Sequence, residues 1–171
     1  MVQMFKAYDE LIESSEYVSI DELLAHGFDP GQPDNDGLFV LEPVCRALDL
    51  DLARELIRAG ADVNSKGSTG FTPLLSTIDG ANQDPKKAVQ LVELLLEQGA
   101  NIEGRGDWDK TPFLKSCTRG VAELTRLLVS RGCDIHATAT EIGGNMGALE
   151  FADTPSNSGE FRQYVGSLFH S

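Results

Sequence analysis

The sequence has little of what builds most catalytic centres. It carries three cysteines and three histidines in 171 residues. Cys45, Cys117 and Cys133 stand far from one another, at no metal-ligand spacing, and any disulfide pairing leaves one over. They are expected to be small buried thiols. His26, His136 and His170 have no cysteine or carboxylate at catalytic or ligand spacing, and His26 precedes a glycine that could end a helix, where it would complement the dipole. No cofactor and no metal are therefore expected. Long apolar runs are missing too, which excludes a membrane-spanning helix. The first ten residues show no basic region followed by an apolar run, so no secretory leader is expected, and reduced thiols fit a cytoplasmic location. Cations are scarce: 14 Lys and Arg face 27 Asp and Glu, a net charge of −13. Such a surface repels phosphate backbones and anionic lipid, which argues against nucleic-acid and membrane partners, and speeds encounter with a basic protein. The same acidity would also serve solubility alone.

The short motifs that could carry chemistry each fail on context. Gly104-Arg105-Gly106 follows a helical pattern instead of opening one and lacks the lysine of a phosphate loop. Asp34-Asn35-Asp36-Gly37 resembles the start of a calcium loop, but no glutamate follows at the closing position, and a turn explains it. Arg105-Gly106-Asp107 spells an integrin-type tripeptide in a chain with no visible leader. No nucleophile–base pair is legible, so an enzyme is not expected.

What is present is periodicity. A glycine returns at 27, 60, 99 and 132, at intervals of 33, 39 and 33 residues. After three of them comes a similar phrase: Gly60-Ala61-Asp62-Val63, Gly99-Ala100-Asn101-Ile102, Gly132-Cys133-Asp134-Ile135. Thr72-Pro73-Leu74-Leu75 and Thr111-Pro112-Phe113-Leu114 each begin twelve residues after their glycine. Register therefore survives the intervening turn-rich segment, and the six extra residues of the middle interval fall later. The stretch from Asp79 to Lys87 is expected to hold them as a longer loop between helices. Each threonine should cap a short helix, with the following proline at its first position, where no N–H is needed. Leucine-rich second helices lead to the next glycine, a left-handed stop. Self-similarity at this period means units that cannot bury their apolar faces alone and must stack.

The two ends depart from this pattern. Met4, Phe5, Tyr8, Leu11 and Ile12 share a helical face over residues 3–13, and Ser19 with Glu22 reads as a cap before Leu23 and Leu24. In the first internal unit Phe39-Val40-Leu41-Glu42 stands where Thr-Pro-Leu is found later, and Pro43 is expected to displace the helix start by a turn. After Ile135 the pattern loosens through residues 136–146. It recovers, three residues late, at Gly147-Ala148-Leu149-Glu150-Phe151-Ala152, and residues 159–169 read as a closing helix.

These phrases resemble the ankyrin repeat, strongly over about residues 28–133 and loosely at the two ends. The resemblance implies an all-α solenoid of stacked helix-turn-helix units with protruding finger loops: three internal repeats between two degenerate capping ones. On this reading the single domain divides into an N-terminal cap (1–27), repeats over 28–61, 62–100 and 101–133, and a C-terminal cap (134–171). It also implies a concave strip of finger tips and inner faces of first helices that binds another protein. Projected onto this sequence, the strip contains Asp34, Asp36 and Leu38, then Lys66, Thr69 and Phe71, then Arg105, Asp107, Trp108 and Lys110, with Arg46, Asp79, Thr118 and Arg119 at first-helix ends. Trp108, the only tryptophan, stands between two aspartates, either as an interface anchor or folded back on the neighbouring finger. A monomer when free, binding a basic protein, is the expectation. A short acidic stack of this kind resembles an inhibitor, as some bacterial relatives are immunity partners of toxins; an adaptor is the alternative.

Overall fold

The computed structural model describes residues 20–25, 27–141 and 144–170, with the side chains of Glu22, Leu23, Asp107 and Glu141 excluded. The helix expected over residues 3–13, the Ser19 cap and His26 lie outside the described residues. Helices follow in pairs. After α1 (Ile20–Ala25) come α2 (Leu41–Arg46) and α3 (Leu50–Arg58), then α4 (Pro73–Gly80) and α5 (Pro85–Glu97), then α6 (Pro112–Arg119) and α7 (Ala122–Ser130). A short hairpin of β1 (Ala139–Glu141) and β2 (Gly144–Met146) precedes α8 (Ala148–Ala152) and α9 (Gly159–Ser167).

Helix starts are set by side chains that satisfy N–H groups no helical carbonyl can reach. Thr72 Oγ1 accepts the Leu75 N–H and Thr111 Oγ1 the Leu114 N–H, each at 3.3 Å, with Pro73 and Pro112 at the first helical position. Asp49, Asp84 and Ser158 do the same for α3, α5 and α9. Helix α2 lacks such a cap: Val40 stands at its N-cap, and the helix begins at Leu41. That is one residue later than the threonine-capped helices, not a turn later, because Pro43 falls at the third helical position, where an N–H would have no partner.

The stops are equally regular. Ala61, Ala100 and Cys133 donate to the carbonyls of Leu56, Leu95 and Leu128, while Gly60, Gly99 and Gly132 donate to Ile57, Leu96 and Val129. This double bond needs a left-handed residue after the helix, and the three glycines have φ of 105°, 89° and 81°.

The six extra residues are placed differently from the expected long loop. Asp79 and Gly80 finish α4, and Pro85, Lys86 and Lys87 already belong to α5, which runs 13 residues against 9 in α3 and α7. The Asp84–Pro85 pair starts that helix early, so the insertion becomes about one added turn plus two residues of connection. The loose stretch 136–146 is also more ordered than its composition suggests: Ala139 pairs with Met146, Thr140 with Asn145 and Glu141 with Gly144.

First helices pack in the row α2–α4–α6–α8 and second helices in the row α3–α5–α7, with each pair joined across the rows. One core runs along the stack, built from Leu41, Val44, Leu56, Leu74, Ile78, Leu91, Leu95, Phe113, Leu124, Leu128, Phe151 and Val165. Successive units are sewn together outside it as well. Asn64 donates to the Gly99 carbonyl (3.0 Å) and accepts the Asn101 N–H (2.7 Å). Cys45, Cys117 and Cys133 are free and buried. Burial pushes each thiol up to about 12, so none is a nucleophile at neutral pH.

Candidate functional site

The row of first helices carries an ion-pair cluster on its finger-facing side. Asp79, at the end of α4, lies between three cations from the helices on either side. Arg46 of α2 approaches its carboxylate at 3.3 Å, Lys115 of α6 at 2.6 Å, and Arg119 of α6 makes a direct hydrogen bond to it. Burial alone would raise the Asp79 carboxyl, but hydrogen bonds from Lys115 and Arg119, with their charges, outweigh it and hold the group below its ordinary value.

One turn earlier on α2, Glu42 is buried. It occupies the place that Leu75 and Leu114 hold in the next two units, 33 and 72 residues on. Its carboxylate accepts from Thr69 Oγ1 and Ser76 Oγ, each at 2.9 Å, and from Arg46 at 3.3 Å. Three donors from three elements offset the cost of taking the charge out of water.

Phe71, at the base of the second finger, is flanked by cations: the Arg46 guanidinium is 5.1 Å from its ring centroid and the Lys115 ammonium 4.8 Å. One unit further on, the same two positions exchange chemistry. Lys110 stands where Phe71 does, and its ammonium lies 4.2 Å over the ring of Phe151 on α8.

The finger tips form the second part of the strip. Asp34 Oδ1 accepts the N–H groups of Asp36 and Leu38, both at 2.9 Å, so this carboxylate shapes the first tip; Asp36 is exposed and Leu38 half-buried. Ser68 donates its N–H to the Gly37 carbonyl and Lys66 its ammonium to that of Arg105, which joins finger to finger. In the third tip Trp108 and Asp109 both adopt left-handed backbone, at φ 57° and 59°. Trp108 is 63% exposed, so it does not fold back on a neighbouring finger. Arg105 holds this geometry by donating to the Asp109 carbonyl (2.7 Å), the Asp109 carboxylate (2.9 Å) and the Thr138 carbonyl (2.9 Å).

The structure thus gathers Arg46, Thr69, Phe71, Asp79 and Arg119 into one cluster and leaves Asp36, Lys66 and Trp108 outward on the tips. Lys110 is buried, with its ammonium over the Phe151 ring. Thr118 is half-buried, and its hydroxyl donates to the Leu114 carbonyl inside its own helix. The Asp107 side chain lies outside the described residues. Sequence reasoning missed Glu42, Lys115 and Ser76. Repeat register offered a signal for the first, since a glutamate at a place held twice by leucine has to be either outward or paired.

Among the described residues no helix is long and apolar enough to cross a membrane, and no three His, Cys, Asp or Glu side chains come together in a metal-binding group. A shallow cleft at the far end is lined by Ile135, His136, Ala137, Ala148 and Phe169, beside Leu149, which is 48% exposed.

No family model matches the chain. Individual proteins do. It is 33% identical over 109 residues to "Putative ankyrin repeat protein YahD" of Escherichia coli, covering 60% of this chain and 54% of that protein. It is 35% identical over 91 residues to "Ankyrin repeat, SAM and basic leucine zipper domain-containing protein 1" of Otolemur garnettii, 50% of this chain and 18% of that one. A stretch of 76 residues is 34% identical to part of an L-arabinose isomerase of Erwinia tasmaniensis, 44% of this chain but 15% of the isomerase. The chain spans about half the length of YahD and less of the other two.

Proposed function

The chain belongs to the ankyrin-repeat proteins, and on that premise we propose that it binds another protein along its finger-and-first-helix strip and acts as an acidic inhibitor of a basic target. The observation that carries this reading is Trp108, a large aromatic side chain 63% exposed on a tip whose backbone is strained and clamped. Two consecutive non-glycine residues in the left-handed region cost free energy, and such strain concentrates where a side chain must be held for use. A tryptophan preorganised in this way loses little entropy on docking and suits an interface anchor. The net charge of −13 supports the second half of the proposal, because opposite fields accelerate encounter with a basic partner. An immunity protein that neutralises a toxin in the cytoplasm is the sharpest form of it.

The experiment is a capture from extract of the source cells, wild type beside Trp108→Ala, at low and raised salt. One partner, lost in the variant and in high salt, is the expected result. The variant's thermal stability should match wild type, since an exposed ring packs against little. Several partners retained by Trp108→Ala would favour an adaptor. Exposed Leu149 and the cleft beside it would give that adaptor a second contact.

A further inference from the structure

The centre of the strip is locally cationic although the molecule is acidic. Three cations (Arg46, Lys115, Arg119) meet two carboxylates (Glu42, Asp79), one positive charge in excess. Burial sharpens the asymmetry. The side chains of Arg46 and Arg119 are 42% and 34% exposed, whereas those of Glu42 and Asp79 are 5% and 16% exposed. An arriving chain therefore meets guanidinium edges and not the carboxylates that balance them. Those carboxylates are also occupied: Glu42 accepts three hydrogen bonds, and Asp79 holds three cations. A lysine or arginine of a partner would find no acceptor here. The Phe71 ring between Arg46 and Lys115 fixes how those two cations sit.

We propose that the centre of the strip is a carboxylate receptor, in which an acidic side chain of the partner protein pairs with the exposed guanidinium edges of Arg46 and Arg119. The planar guanidinium fork matches a carboxylate through paired, charge-assisted hydrogen bonds. The inference rests on the strip being the docking face and adds the chemistry at its middle: the negative field of the whole molecule draws in a basic protein, and one acidic residue of that protein locks it. Charge complementarity of this mixed kind fixes register as well as partner.

The test begins with a display library of random twelve-residue peptides panned against the folded protein. A chain of charge −13 enriches basic peptides by field alone, so enrichment of an aspartate or glutamate is the expected and discriminating result. The selected peptide is then titrated against wild type, against Arg46→Gln/Arg119→Gln, and against Arg54→Gln/Arg58→Gln on the other helix row. The first pair should weaken binding about ten-fold or more, and the second should change it less than about two-fold. Replacing the peptide's acidic residue by its amide should weaken binding to wild-type protein by a similar factor, a readout that does not depend on any variant folding. A library that yields only basic peptides, or an acidic peptide indifferent to both replacements, overturns the receptor. Neither result would touch the strip itself, which stands or falls with the Trp108→Ala capture.

Discussion

Glu42 and Asp79 are the two residues at which this chain departs most from a plain stack of leucines, and each makes a measurable prediction. Glu42 is buried at a position that is leucine in the two following units, and Thr69, Ser76 and Arg46 all donate to it. Glu42→Ala strands those donors and leaves a void, so urea unfolding should show a loss of about 3 kcal/mol, the range found when one partner of a buried charged network is removed. Asp79 predicts a pH dependence. Its folded carboxyl lies below the ordinary value of 3.8, so the folded state binds fewer protons than the unfolded one through that region. The stabilisation is then fully present above the ordinary value and is lost as pH falls through the lower, folded one. Comparing wild type with Asp79→Asn by urea unfolding from pH 7 down to pH 3 should give a constant difference above about pH 5 that narrows steadily below about pH 4. A difference that grew on acidification would mean that the three cations do not hold the carboxylate ionised.

At the scale of elements, α2 and α4 approach closely at Gly80, where a methyl group would collide with the Arg46 carbonyl oxygen. Gly80→Ala should therefore cost about 2 kcal/mol, the usual penalty for overpacking against rigid backbone, although alanine favours helix elsewhere. Thermal denaturation with circular dichroism would register it. Element boundaries show how far local chemistry could be read in advance. The Thr-Pro starts of α4 and α6 and the glycine stops at 60, 99 and 132 follow from capping rules that act within four residues, and the late start of α8 from the repeat phrase that resumes at Gly147; all were legible. The start of α5 was misread although Asp84–Pro85 signals it, because a polar run of lysines and glutamine looks like loop when only its apolar content is weighed. The β1–β2 hairpin gave no alternating pattern. It lies against the Asp107–Asp109 turn of the third finger, a neighbour that sequence order does not place there. The cluster was half legible for the same reason. Arg46, Asp79 and Arg119 follow from repeat register, but their meeting with Lys115 and buried Glu42 is decided by how α2, α4 and α6 lie side by side.

Among the described residues the units pack chiefly against their neighbours in a row, so stability should be graded along it and not shared equally. The central helices α4, α5 and α6 are covered on two sides, whereas α9 packs mainly on α8. Native-state hydrogen exchange should show the slowest amides around Ile78, Leu95 and Leu114 and faster ones in α9 around Phe161. Leu95→Ala, made in the most enclosed second helix, should lower the unfolding free energy by roughly 2–5 kcal/mol and speed exchange throughout the row. Uniform exchange from end to end would instead mean that the stack opens only as one piece.

The exchanged pairs along the strip carry one more consequence, for how such a row could grow. Phe71 of one finger lies against Lys115 of the next unit, and Lys110 of that unit's finger lies against Phe151 of the one after. Each junction is keyed to its own neighbour. A gene that copied residues 101–133 in tandem would set Lys110 of the first copy against Lys115 of the second, cation on cation, where each now faces a ring. The array thus resists lengthening by duplication, and its units hold assigned places like teeth cut to a single key.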